Sequence, residues 1–344
     1  MKNPLSGYIG GVNSAGYWVT KLQNDWCDTF GCKHAVACNS ATSGLLAACM
    51  AIGIGPGDTV WTTAYSMSAT AACAKVLGAR IVFIDIETTR FSINMNLLRG
   101  PIPKCIIVTN LFGHPAYLET MRSWCDSNRV WMIEDNAQAP FAKENGRYAG
   151  TIGHIGVFSL NVHKHIQAGE GGIVACDGED SHQAIADAIN HGELAKGKIK
   201  AGLNLRMTEP IAAIACAQLA RGKRIIANRR WLAHKLTEMF SGIDWLIPPK
   251  EDDGCEHVYY VWAARIENGK RKQFVELLNG CGFPMREGYS TPLPFIFDRD
   301  QECPTTNRIE LHELITFEVC AYDPVQRQLR TMSDIAKWAA DRVQ

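Results

Sequence analysis

The stretch "FSLNVHKHIQAGEGG", from Phe158 to Gly172, sets one lysine between two histidines, just ahead of a glutamate and a glycine pair. Three chemistries use such residues. His163 and His165, spaced i,i+2, share a face in an extended chain and could begin a metal site. No further ligand follows at a metal-site spacing, so that signal is weak. A glycine-rich loop could cradle phosphate, but the chain has no Gly-Lys-Ser/Thr, and "GIGPGD" (Gly53 to Asp58) follows a helical pattern where a dinucleotide loop would follow a strand. The third option is an amine that bonds a carbonyl: Lys164, in a loop after an apolar strand. Taken alone, a lysine there reads equally as a solvated charge.

Two more strand ends carry polar groups. Asn39-Ser40-Ala41-Thr42-Ser43-Gly44 precedes an apolar helical run. Small residues there let backbone amides approach an anion, and a helix N-terminus favours negative charge; Ser40 or Thr42 could equally be plain N-caps. After "VWMI" comes Glu134-Asp135-Asn136-Ala137-Gln138. A carboxylate in that apolar setting needs a cationic or hydrogen-bonding partner, or it caps the next helix. Together, a phosphate cup, a strand-end carboxylate and a later lysine are what pyridoxal phosphate requires. Its phosphate takes the helix end, its ring nitrogen the carboxylate and its aldehyde the amine.

The elements that must hold these residues alternate. "HAVACN", "TVWTT", "RIVFID", "CIIVTNL" and "VWMIED" read as buried strands. "SATSGLLAACMAIG", "SATAACAKVLG" and the run from Tyr117 to about Asn128 read as helices. Continuous apolar strands between helices predict an α/β class with a mostly parallel central sheet flanked by helices. "IGVFSL" and "GGIVAC" add strands around the lysine loop, and Pro210 to about Met239 reads as one or two helices. "DWLIPPKEDDG" reads as a boundary. It divides a large domain, 1–240, from a smaller α+β C-terminal domain, 241–344. In that second part "HVYYVWAARI" alternates like a half-exposed strand, followed by a helix at "KRKQFVELLNGCG" and another near "MSDIAKWAADRV".

Composition narrows the class. Formal net charge is zero, with 47% hydrophobic and 20% charged residues, so no basic stripe points to nucleic acid. The opening "MKNPLSGYIGGVNSAGYW" lacks the apolar run of a secretory leader, and no window nears the ~18 apolar residues of a membrane span. The thirteen cysteines are scattered, without a C-x-x-C pair, which fits buried thiols in a reducing cytoplasm.

The segments "NSATSGLLAACMAIGIGPGDTV", "AKVLGARIVFIDIE", "IEDNAQA", "GVFSLNVHKHIQAGEGG" and "GLNLRMTEPIAAIACAQL" resemble, in order, the signature segments of the DegT-type nucleotide-sugar aminotransferases, pyridoxal-phosphate enzymes of fold type I. "VYYVWAARI" and "GYSTPLP" continue the likeness more loosely. By position, the resemblance implies that Lys164 forms the Schiff base and Asp135 pairs with the ring nitrogen. It puts Gln138 near the ring hydroxyl, and Ala41, Thr42 and Ser159 on the phosphate. Asn204 would reach the phosphate of a neighbouring subunit, which implies a homodimer with shared active sites. Met67 stands where the family usually stacks an aromatic ring on the cofactor, with Tyr65 as a nearby substitute. His163 and His165 become packing or supporting residues. The implied reaction moves an amino group from an amino acid, glutamate by analogy, to a keto group of a nucleotide-linked sugar. Two alternatives accompany it: a dehydratase of the same family, which uses histidine at the lysine position, and a non-catalytic sensor or scaffold that kept the fold.

Overall fold

The computed structural model describes residues 16–192, 201–267, 269–319 and 329–343; the first fifteen residues, where a leader was sought, lie outside that set. The apolar runs form β1 (His34–Cys38), β2 (Thr59–Thr63), β3 (Arg80–Ile84), β4 (Cys105–Thr109) and β5 (Trp131–Asp135). A short hairpin follows, β6 (Lys143–Glu144) and β7 (Arg147–Tyr148), then β8 (Ile155–Ser159) and β9 (Gly172–Cys176). Apart from the hairpin these make a seven-stranded sheet in the order β1-β9-β8-β5-β4-β2-β3. Neighbours from β8 through β3 run parallel, while β9 is antiparallel to both β8 and β1. Every strand except β9 therefore ends on one edge of the sheet, and ligands of open α/β sheets bind outside that edge.

Helices cover both faces: α1 (Tyr17–Phe30), α2 (Ala41–Ala51), α3 (Ala69–Lys75), α4 (Leu118–Asn128), α5 (Glu179–Ile189), α6 (Glu209–Leu219) and α7 (Gly222–Met239). On one face Leu45, Cys49, Cys73 and Ile185 pack on Val60, Ile107, Ile133 and Val174. On the other, Trp26, Met121 and Ala212 pack on Ile106, Met132, Phe158 and Ile173. Successive strand residues point to opposite faces, so covering both faces is what makes these strands apolar without alternation. Two helices, α1 and α5, lie outside the elements read from the sequence. In α1 the buried residues are Val19, Leu22, Trp26 and Phe30, at helical spacing.

Glu209 fastens α1 to α6. It is buried at the first turn of α6, and its carboxylate accepts the amides of Trp18 at 2.8 Å and Val19 at 2.9 Å. Those amides open α1, where helix donors have no partner within the helix, and Gly16 supplies no side-chain cap. Glu209→Ala is expected to lower unfolding free energy by about 1–2 kcal/mol, read as a lower denaturation midpoint at unchanged slope.

The C-terminal part contains β10 (Leu246–Ile247), β11 (Cys255–Glu256), β12 (Val261–Ile266), α8 (Arg271–Gly280), β13 (Arg286–Glu287), α9 (Leu293–Phe297), α10 (Pro304–Arg308), β14 (Leu314–Glu318) and α11 (Leu329–Val343). An antiparallel sheet runs β10-β12-β14-β13, and β11 pairs instead with β6 of the hairpin. The half-exposed strand expected at "HVYYVWAARI" is buried on both sides. Trp262, Ala264 and Ile266 face Leu236 of α7, Phe274 of α8 and Ala339 of α11. Val261 and Ala263 face Tyr65, Phe91, Leu111 and Phe112 of the large sheet's loops. The alternation that suggested solvent on one side separates two apolar environments instead. The same packing sets the C-terminal sheet beside the active edge of the large one.

Candidate active site

Asp135, last residue of β5, is buried with 5% exposure. One carboxylate oxygen accepts the Thr70 hydroxyl at 2.7 Å and the other the amide of Ala137 at 3.2 Å. Thr70 in turn meets Ser66 at 2.7 Å, and Thr109 donates to Ser66 at 3.3 Å. This hydroxyl chain fixes the carboxylate's direction. Burial pushes its pKa above the ordinary aspartate value, opposed by the Thr70 and Ala137 donors and by the charge of Lys164. A carboxylate has about four acceptor positions, and two neutral donors leave capacity for a cation.

Lys164 occupies the loop between β8 and β9, which run antiparallel and hold the loop closed. Leu160 donates to Gly171 and Val162 to Gly169, each at 2.9 Å, and the Lys164 amide donates to Asn161 at 2.9 Å. The lysine side chain is half-buried, with Nζ 4.5 Å from the centre of the Tyr260 ring. Burial lowers its pKa to about 8, against the pull of Asp135, so a useful fraction is neutral amine near pH 7. The flanking histidines part ways. His165 is buried and its Nε2 lies 3.1 Å from the Val258 carbonyl, a packing role as expected. His163 is exposed, not packed, and its amide takes Asn161 Oδ1 at 3.2 Å. Among the described residues they gather no third metal ligand.

The expected phosphate cup is the N-terminus of α2. Ser40, not Thr42, is the cap: its Oγ accepts the Ser43 amide at 3.1 Å. Ala41 is buried and Thr42 exposed; their amides open the helix, where no intrahelical acceptor exists. Ser159, 7% exposed, ends β8, and register brings it to the cup. Gly172 pairs with Cys38 on one side and Ser159 on the other. A β-carbon on Gly172 would stand 2.6 Å from the Ser40 carbonyl carbon and 2.7 Å from the Ala41 nitrogen. Only glycine lets the chain pass so close to the helix start. Gly172→Ala is expected to destabilise the protein by about 1–3 kcal/mol and to weaken retention of a phosphorylated ligand, read by equilibrium dialysis beside thermal unfolding.

Gln138 is buried, with Oε1 accepting the Phe112 amide at 2.8 Å and Nε2 donating to the Tyr289 hydroxyl at 2.5 Å. It thus joins the β5 end to the loop that follows β13. Met67 stands 57% exposed ahead of α3. Tyr65 is fully buried, with its hydroxyl on Glu310 and its ring edge-on to Phe112 and Tyr289; it is committed to packing. Asn204 is exposed and bridges Asn190.

Beside Lys164 opens a cavity of about 470 Å³, bounded by Arg229, Tyr260, Arg286, Tyr289 and Glu318 among others. None of these was singled out from the sequence, nor was Thr70. Tyr260 and Tyr289 do fall in the two loosely matching segments, the one signal that could have found them.

The residues present fit pyridoxal phosphate. A buried carboxylate has spare acceptor capacity, a half-buried amine of lowered pKa lies within its field, and open helix amides adjoin a buried serine. A mostly parallel α/β sheet with an amine–carboxylate pair on its active edge defines an enzyme class built around an aldehyde cofactor. Residues 9–315 match the DegT/DnrJ/EryC1/StrS aminotransferase family, and the chain belongs to that family of pyridoxal-phosphate enzymes. It is 30% identical over 285 residues to a pleiotropic regulatory protein of Geobacillus stearothermophilus, covering 81% of this chain and 76% of that one. It is 26% identical over 345 residues to the GDP-perosamine synthase of Caulobacter vibrioides, covering 96% and 90%. In fold it matches the aminotransferase from Psychrobacter cryohalolentis, with TM-score 0.87, 22% identity and coverage of 96% and 92%. It also matches the E. coli GDP-4-keto-6-deoxy-D-mannose-3-dehydratase, solved with bound hydrated PLP, with TM-score 0.84, 22% identity and coverage of 93% and 92%. Among the described residues no helix is long and apolar enough to cross a membrane.

Proposed function

We propose that this protein moves an amino group from an amino acid, glutamate as the expected donor, to a keto group of a nucleotide-linked sugar. The observation that carries the reading is that Lys164 and Asp135 lie at one sheet edge, each within the other's electric field, beside a cavity of about 470 Å³. A sugar-sized acceptor suits that volume, and the likeness to a GDP-perosamine synthase supports the nucleotide-sugar class.

Asp135 holds the protonated ring nitrogen, Gln138 the ring-hydroxyl side, and Ala41, Thr42 and Ser159 the phosphate. Met67 covers the ring face. Asn204, exposed, reaches the phosphate held by a second copy, so the working form is a homodimer. Residues 1–240 carry the cofactor, residues 241–344 shape the acceptor pocket, and the compartment is the cytoplasm. Bound there, pyridoxal phosphate supplies an aldehyde that condenses with amines and a ring that withdraws electrons from them. Lys164 Nζ, as neutral amine, takes the proton from the donor's α-carbon and holds it for return. Asp135 keeps its negative charge against the ring nitrogen throughout. Tyr260, with its ring under Nζ, limits where the amine can swing.

The same-family dehydration reading needs a histidine in the lysine's place. His163 faces solvent and His165 is tied to Val258, so side-chain direction favours the amine. The test supplies glutamate and a panel of keto-sugar nucleotides to purified enzyme, following 2-oxoglutarate and sugar mass. Release of 2-oxoglutarate with an amino-sugar product supports transamination. Loss of water from the sugar without an amino-sugar product supports dehydration, and failure to bind the cofactor supports a sensor or scaffold.

A further inference from the structure

The edge of the sheet opposite the candidate active site carries a second group of ligating side chains. His34 opens β1 and pairs across the ladder with Cys176, the last residue of β9. The chain turns through Asp177 and Gly178 and enters α5 at Glu179. The first turn of α5 therefore starts beside His34. Glu179 and His182, spaced i,i+3, share a helix face, the Glu-x-x-His spacing by which helices present metal ligands. The three side chains meet: His34 Nε2 lies 3.3 Å from a Glu179 oxygen, the His34 and His182 rings stack at 4.5 Å, and one donor atom from each lies within 4.8 Å of the others.

We propose that His34, Glu179 and His182 form a site for a divalent first-row metal ion, zinc being the best match, with water completing the set. Two imidazoles and a carboxylate are ligands zinc accepts. Zinc–nitrogen and zinc–oxygen bonds of about 2.0–2.1 Å in a tetrahedron put adjacent donors roughly 3.3–3.4 Å apart. The His34–Glu179 separation of 3.3 Å already has that length, and closure asks the stacked imidazoles to turn until their lone pairs converge. The ion would clamp the start of α5 to edge strand β1, whose far end leads into Ser40 and the α2 N-terminus. Nothing in the proposed amination uses these residues, so the site stands or falls independently of that reaction.

The test is calorimetric titration of zinc into the untagged, cofactor-loaded protein after chelator treatment, with cobalt as a spectroscopic substitute. The expected result is one zinc per chain and the visible bands of tetrahedral cobalt. His34→Gln and His182→Gln should each weaken binding at least about tenfold, with amination rates unchanged as the check that both fold. Cys27→Ser and Cys32→Ser should leave the isotherm unaltered. An isotherm indifferent to both histidine variants, or no zinc uptake at hundredfold molar excess, overturns the proposal.

Discussion

Lys164→Ala is expected to bind cofactor yet lose turnover by at least about a thousandfold. The carboxylate of Asp135, the α2 amides and Ser159 remain, so the ligand has its anchors; what disappears is the amine that shares their edge of the sheet. The visible absorbance of the cofactor–lysine bond should vanish, and a small added amine should restore part of the single-turnover release of 2-oxoglutarate. An unchanged spectrum in the variant would refute the assignment. Stability of the cofactor-free protein gives a second readout. Lys164 has a folded pKa of about 8 against an unfolded value near 10.5. Between those values the unfolded chain binds more protons, so stability rises with pH. Lys164→Ala should flatten that rise and, by removing a charge that folding desolvates, make the cofactor-free protein more stable than wild type at pH 7.

What was legible in the sequence was local. β1, β4 and β5 are largely buried and declare themselves as short apolar runs, Ala35–Cys38, Cys105–Val108 and Trp131–Ile133, and the polar residues that follow mark the active edge. Ser40-Ala41-Thr42, Asp135 and Lys164 could therefore be read in one pass, because each lies at, or shortly after, the C-terminal end of a strand. What closes the site is not local. Thr70 reaches Asp135 from α3 at 2.7 Å, and no spacing rule links residues 70 and 135. Tyr260 and Tyr289 arrive because β12 lays Val261 and Ala263 against Leu111 and Phe112, a packing choice made across some 150 residues of chain. The same contact explains why an alternating pattern misled: alternation records two different environments and does not say that one is water. Position beside Lys164 gives both histidines a packing or supporting role; the chain turns there, so His165 is buried and His163 is exposed.

Asp135→Asn is expected to keep the cofactor and slow turnover by roughly 10²–10⁴-fold. The amide has nearly the shape of the carboxylate, and its oxygen can still accept from Thr70, so position is conserved and charge alone is removed. Without that charge nothing favours the protonated ring nitrogen, and the ring withdraws electrons less well. Burial raises the Asp135 pKa, offset in order by Thr70, Ala137 and Lys164. With a folded pKa above its unfolded one, this group binds protons more readily in the native state. Its ionisation therefore costs stability as pH climbs through the carboxylate range. At neutral pH the cofactor-free Asp135→Asn protein should consequently unfold at a higher temperature than wild type, while the loaded enzyme is much slower. The combination separates a charge held in place for chemistry from a side chain serving the fold: a structural aspartate would give the reverse, lower stability with near-normal turnover. Thr70→Val sharpens the point. Loss of the hydroxyl donor leaves the carboxylate less favoured, so the Asp135 pKa should move further up and the acidic limb of the rate–pH profile should move with it, whereas Asp135→Asn should lack that limb altogether.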